Sequence, residues 1–356
     1  MSKNNKHLFF VGGYAPKDKP SIHAFIFNSK TREITPQTAF TGIKNPSFLT
    51  THPNGKWLYA VSEMEQDVDT VHGSVVSFSI ENNPIHIQPI NQQSTKGDAP
   101  CHLQIDRSGR WIIASNYGTG NAALFPILAN GALGVAKAFI QHEGHGANKE
   151  RQERAHVHSA IFTPDNRFLV VADLGIDQIV IYQFDAETGS LTRHASIQTR
   201  AGAGPRHFAF HPNKQHLLVA NELDNTVTVY DYNAQNGTLY ACQTISTLPP
   251  NAPESAVADI HFSPSGQHVY TSNRGHDSIA LFTMTDDASL IYLDILPCGG
   301  KWPRNFTLTP DGQFILVANQ HSNHISLLPI FADSPKFGSA VTNISVAQPT
   351  CVRFLL

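Results

Sequence analysis

The chain has 356 residues, 41% of them hydrophobic and 15% charged, with a formal net charge of −3. That apolar share is ample for a buried core, and a near-neutral balance with scattered Lys and Arg argues against a nucleic-acid surface. The opening Met1-Ser2-Lys3-Asn4-Asn5-Lys6 lacks the apolar run of a signal peptide, no stretch is long enough to span a membrane, and Cys101, Cys242, Cys298 and Cys351 form no CxxC pair, so a cytoplasmic protein with reduced thiols is expected.

Two β-type runs come first, residues 7–14 and 22–27. A module then begins at Pro46 and recurs at Pro100, Val157, Pro205, Val257 and Pro303. Each copy has a short β-type run, a tight turn, a second apolar run ending in a small-polar pair, and a third alternating run. In the last copy these are residues 303–309, Pro310-Asp311-Gly312, residues 314–317 with Ala318-Asn319, and residues 324–328. Pro presets φ in such turns, and Gly or Asn accepts the left-handed conformation they need. The C-terminus offers only the first run of another copy, residues 349–356, and the two N-terminal runs supply what it lacks. Six whole copies and one split copy, at a period of roughly 50 residues, predict an all-β seven-bladed β-propeller. Its ring is closed by N-terminal strands joining the C-terminal strand in one blade. No low-complexity linker interrupts the repeats, so residues 1–356 read as a single domain.

Propeller topology says which residues meet. The start of the first strand and the end of the second lie at one mouth, and the turns between them lie at the other. In register, the second positions of the first strands are Ser47, Cys101, His158, Arg206, Ala258, Arg304 and Thr350. The second strands end in Ser62-Glu63, Asn116-Tyr117, Asp173-Leu174, Asn221-Glu222, Asn273-Arg274 and Asn319-Gln320. One mouth is thus expected to collect His158, Asp173, Arg206, Glu222, Arg274, Arg304, Asn116 and Gln320. Asn or Ser at a strand end also hydrogen-bonds backbone, which is the plainer role for Ser62, Asn273 and Asn319. Charged groups in a crowded ring are costly unless they pair with one another or wait for a ligand.

Residues 141–155 break the repeat rhythm and are too polar for a strand. They lead straight into His156 and His158, so they are expected to cover the mouth as a lid, with Arg151 and Gln152 as ligand-binding candidates. His156 and His158 alternate onto one side of a strand, as two metal ligands would. No third ligand stands at a familiar spacing, so metal-independent chemistry with no cofactor is expected.

The ordered set of motifs resembles a known family. The matching stretches are Arg151-Gln152, His156-Val157-His158-Ser159, Gly204-Pro205-Arg206-His207, His211-Pro212-Asn213, Asn221-Glu222-Leu223, Ala258-Asp259-Ile260-His261, Asn273-Arg274, Pro303-Arg304-Asn305-Phe306 and His324-Ile325-Ser326. Together they span most of the chain and resemble the seven-bladed propeller lactonases, typified by propeller-type 6-phosphogluconolactonases, and the related fungal carboxymuconate cyclases. The Val between the two histidines departs from many relatives. The resemblance implies that His158, Glu222, Arg206 and Arg274 are the catalytic groups. It implies a small anionic lactone as substrate, 6-phospho-D-glucono-1,5-lactone first. Arg304, Arg151, Gln152, Asp173, Asn116 and Gln320 remain as substrate-binding candidates. Water attack on the ester needs a base, Glu222 or His158, and fixed donors for the oxyanion, Arg206 or Arg274. Arg304 or Arg151 is then left for the phosphate. A muconate-type cycloisomerase or a non-catalytic binding scaffold are the alternatives, and the oligomeric state is open.

Overall fold

A computed structural model describes residues 5–64, 73–330 and 338–355. Its strands form seven four-stranded sheets, each a run of antiparallel neighbours. The innermost strands touch one another in order around a ring, from Leu49–Thr51 through Pro100–Ile105, Val157–Phe162, Pro205–Phe210, Ala256–Phe262 and Pro303–Leu308 to Pro349–Phe354, which returns to the first. The closing blade has the order Pro349–Phe354, Lys6–Gly13, Pro20–Asn28, Glu33–Thr41, so its inner strand comes from one end of the chain and the other three from the opposite end. Of the predicted closing segment, Leu356 lies outside the described residues.

Each blade holds a fourth strand where the sequence showed three runs. Glu33–Thr41, Ser190–Gln198 and Thr238–Ser246 are such outer strands, and most of their residues are exposed or half-buried. An outer strand rests one face on its neighbour and gives the other to water. It therefore carries no continuous apolar run to betray it. The second strands do the opposite. Trp111–Asn116, Phe168–Asp173 and Phe314–Asn319 are buried at every position, because both faces pack against adjacent blades. Phe9 and Phe27 of the closing blade meet Phe314 and Leu316 of the blade before it, with the Phe27 and Phe314 rings 5.5 Å apart.

One irregularity positions the functional groups. Val157 pairs with Asp173 and Ser159 with Ala172, leaving His158 out of the ladder. Cys101, Arg206, Arg304 and Thr350 are left out in the same way. A bulge places two residues opposite one and re-aims the extra side chain. Repeated around the ring, it turns these second-position side chains toward the propeller axis.

Candidate active site

The charged residues converge on Glu222. Its Oε2 accepts from Arg206 Nε and from Arg274 Nη2, each at 2.8 Å, and its Oε1 accepts from Arg151 Nη2 at 2.7 Å. His158 Nε2 stands 4.0 Å from the same Oε2. Glu222, Arg206, Arg274 and His158 are all buried, whereas the Arg151 side chain remains 43% exposed. The guanidinium of Arg206 also donates to the Ala258 carbonyl, and that of Arg274 to the Ala256 and Val257 carbonyls at 3.3 and 3.2 Å. Three blades and the lid thus contribute to one carboxylate.

Electrostatics follows from the packing. Burial alone would raise the Glu222 carboxyl, but Arg274, Arg206 and Arg151 hold it far below the usual carboxylate range. Burial, reinforced by Arg206, His207, Arg304 and Arg274, keeps the His158 imidazole well below its ordinary value. Burial pushes Arg274 down to about 10 against the pull of Glu222. At neutral pH the cluster is an ionised carboxylate, cationic arginines and a neutral imidazole. A carboxylate offers about four acceptor sites. Guanidinium bonds take three on Glu222 and leave one on Oε1.

A cleft of about 1020 Å³ opens over the cluster, and Glu222, Arg151, Arg274, Arg304 and Trp302 line it. Arg206 and His158 lie below it. Arg206 instead borders a small void on the axis, together with Cys101, His207 and Arg304. Trp302, beside Pro303, is half-buried, stacks on His321 at 4.6 Å and carries the Arg274 guanidinium 5.7 Å from its ring centre.

Other sequence candidates are occupied by the fold. Gln152 is fully buried; its Nε2 donates to Leu174 O and Asp177 Oδ1, and its Oε1 accepts from Asn148 N, so it pins the lid. Asp173 is also fully buried and holds both ends of that lid, accepting from His142 Nδ1 and from the His156 backbone at 2.7 Å each. Asn116 donates to Asn121 Oδ1 at 2.6 Å, as Asn221, Asn273 and Asn319 donate to third-strand hydroxyls in their own blades. Its role is to tie two strands together. Gln320 starts the single-turn 3-10 helix Gln320–Ser322 and does not line the cleft. His156 precedes its strand and stacks on Tyr117 at 4.3 Å, while His158 meets the edge of the same ring at 5.6 Å. The phenol therefore sits against both imidazoles, and the expected same-side pair does not converge. Among the described residues no group of three or more His, Cys, Asp or Glu side chains is arranged to hold a metal ion.

Sequence reasoning passed over four residues at this mouth. Tyr14 donates its hydroxyl to Glu63 Oε1 at 2.8 Å, and the Arg304 guanidinium lies 5.4 Å over the Tyr14 ring. Tyr117 contacts Arg151 at 3.4 Å, and Trp302 lines the cleft. The signal was present. Tyr14, Glu63 and Tyr117 stand just past the second strand of their blades, as Glu222 does in its own, and Arg274 closes the second strand of the next.

Comparison with known proteins agrees with this architecture. A family model described as "Lactonase, 7-bladed beta-propeller" matches residues 8–354. A Bacillus subtilis protein named 6-phosphogluconolactonase is 30% identical over 98% of this chain and 99% of its own. One of the same name from Formosa agariphila is 36% identical over 89% and 90%. The structure of the Pseudomonas aeruginosa periplasmic gluconolactonase superimposes with a TM-score of 0.91 at 27% identity, covering 98% of this chain and 99% of that one. The chain belongs to the seven-bladed β-propeller lactonases, a family of lactone-hydrolysing carboxylic ester hydrolases.

Proposed function

We propose that this chain hydrolyses 6-phospho-D-glucono-1,5-lactone to 6-phosphogluconate, as a cytoplasmic enzyme of the pentose phosphate pathway whose whole ring, residues 1–356, acts as one domain. The observation that carries the reading is Glu222 at the foot of a cleft that Arg151, Arg274 and Arg304 also line, held ionised by three guanidinia with one acceptor site open. The family's relatives named for this lactone supply the substrate. A free thiol at each of the four cysteines fits the compartment.

In this mechanism a water lodged in the cleft donates to the open site of Glu222 Oε1 and attacks the lactone carbonyl. As the tetrahedral oxyanion forms it draws Arg274 away from Glu222, which makes the carboxylate more basic, and the water's proton passes to it. Arg274, which faces the cleft, stabilises that oxyanion, and Arg206 holds the carboxylate from below. Collapse breaks the ring C–O bond, and the proton returns from Glu222 to the departing ring oxygen. The new carboxylic acid then ionises to solvent. His158 Nε2, 4.0 Å behind Oε2, is neutral and packs against the carboxylate, helping to hold it in place. Trp302 lines the cleft and holds the Arg274 guanidinium against its ring.

The test is hydrolysis of phosphorylated and plain gluconolactones by the purified protein, with spontaneous hydrolysis subtracted. Glu222→Gln keeps shape and removes the base, so kcat should fall about 10²–10⁴-fold. His158→Asn should fall less. A folded Glu222→Gln variant with parental turnover on every lactone sinks the assignment.

A further inference from the structure

Arg304 differs from the other three arginines of the mouth. Arg151, Arg206 and Arg274 are committed to Glu222. Among the described residues Arg304 makes no hydrogen bond and no ion pair; its guanidinium rests on the Tyr14 ring, 5.4 Å from the centroid. Tyr14 is itself fixed. Its hydroxyl donates to Glu63 Oε1 at 2.8 Å, and Asn45 joins the two segments, accepting from Ala15 N at 3.2 Å and donating to Glu63 O at 3.2 Å. A ring held from behind presents its face to a cation, which keeps the guanidinium in place without neutralising it. Glu63 lies beyond the phenol, so its charge reaches Arg304 only through space.

The cleft is also polarised. Asp224 and Glu254 line it on the side of the fourth and fifth blades, whereas Arg304 and Trp302 line it on the side of the sixth. Arg274 and Arg151 line it too, but both are engaged by Glu222, so among the described residues the cation left without a partner stands on the side where no carboxylate lines the cleft. We propose that Arg304, seated on the Tyr14 ring that Glu63 holds, is the subsite that takes the anionic phosphate end of the substrate and sets the preference for a phosphorylated lactone. The proposal rests on the lactonase reading above and assigns one end of the same substrate. Guanidinium and phosphate match in geometry as well as charge, through paired N–H donors. With the phosphate at Arg304, the lactone carbonyl extends toward Arg274 and Glu222. Tyr14 is then a positioning residue and touches no reacting atom.

The experiment compares the parent with Arg304→Gln, Arg151→Gln, Tyr14→Phe and Tyr14→Leu. It measures kcat/KM on 6-phosphogluconolactone and on gluconolactone. It also measures calorimetric binding of 6-phosphogluconate and gluconate, which needs no turnover. In Arg304→Gln the preference for the phosphorylated lactone should fall about 10- to 100-fold, as loss of a charged hydrogen-bond pair implies, and 6-phosphogluconate should lose its advantage over gluconate in binding. Tyr14→Leu, which removes the ring, should raise KM for the phosphorylated lactone more than it lowers kcat, and Tyr14→Phe, which keeps the ring, should do so less. Equal losses on both lactones would place Arg304 at the carbonyl and overturn the subsite. So would a preference that moves with Arg151→Gln and not with Arg304→Gln. A parent that hydrolyses neither lactone but binds 6-phosphogluconate through Arg304 would sink the lactonase reading alone. A parent that binds neither acid ends the subsite as well.

Discussion

At the scale of single residues, this protein stores ionisable groups in its buried centre. Besides Glu222, the axis holds His102, His158 and His207, all buried. The rings of His102 and His207 are 5.4 Å apart, and those of His158 and His207 are 5.3 Å apart. Burial, then Arg206, pushes His207 down to about 4, although Asp259 accepts from its Nδ1 at 2.8 Å. Burial also holds His102 and His158 well below the ordinary value. The sign follows from linkage. Unfolded imidazoles take up protons near pH 6.5, whereas His207 stays neutral until about pH 4 and His102 and His158 stay neutral well below the ordinary value. Unfolding therefore binds protons across that window, and stability falls as the pH drops through it. Asp259 adds to the trend at lower pH: burial would raise its carboxyl, but His261 and His207 hold it well below the usual range. Urea unfolding at pH 7.5, 6.5 and 5 should show a loss on the order of 2 kcal/mol from His207 between the last two, with His102 and His158 adding to it in the same direction. A stability curve that stays flat to pH 5 would mean that these imidazoles are protonated in the fold.

At the scale of elements, legibility tracked how regular the chemistry was. The repeat, its turns and the split blade could be read because Pro, Gly and alternating apolar residues recur in register. In Thr309-Pro310-Asp311-Gly312, for example, the Thr309 hydroxyl donates to Asp311, and Gly312 has φ of 69°. The fourth strands could not be read, since a half-exposed strand has no apolar run. The bulges could not either, because no residue type marks them: Cys101, His158, Arg206 and Arg304 share only a position. Register alone brought His158, Arg206, Glu222 and Arg274 together. It equally brought in Asn116, whose position proves to be a strand tie. The lid was legible as an interruption, but not its anchoring. Gln152 looked like a ligand because polar residues in loops often are; its amide is spent on Asp177, Leu174 and Asn148. Gln152→Leu should leave the ring folded while costing about 1–3 kcal/mol locally. Hydrogen exchange of residues 141–155 should quicken, and KM should rise as Arg151 loses its support. Parental exchange rates in that segment would show that the lid is held by other contacts.

At the scale of the whole molecule, the ring makes distant ends of the chain depend on one another. Pro349–Phe354 pairs with Lys6–Gly13, with Phe9 opposite Phe354 and Val11 opposite Val352. The same strand braces the blades on either side: Val352 N donates to Asn305 Oδ1 at 2.8 Å, and the Thr350 hydroxyl donates to the Ser47 carbonyl at 2.8 Å. Cys351, Val352 and Phe354 are buried in two different inter-blade cores. Fraying at either terminus therefore costs contacts from both, and neither inner edge is left open to a stray strand. Removing residues 349–356 would expose the edge of Lys6–Gly13 and strip three buried side chains, at roughly 1.5–3 kcal/mol each. That is a large share of the 5–15 kcal/mol by which folded domains are typically stable. The truncated chain should melt far below the parent or fail to fold. Phe354→Ala, a gentler cut, should cost about 3–5 kcal/mol through the cavity beside Phe9 and His7. Arg304 and Asn305 lie in the blade that this strand braces, so the same variant should weaken substrate binding before it lowers the melting point enough to abolish the fold at room temperature. Thermal melts and KM on the two variants check both statements. A truncated protein with the parental melting temperature would mean that the ring is not closed by this strand.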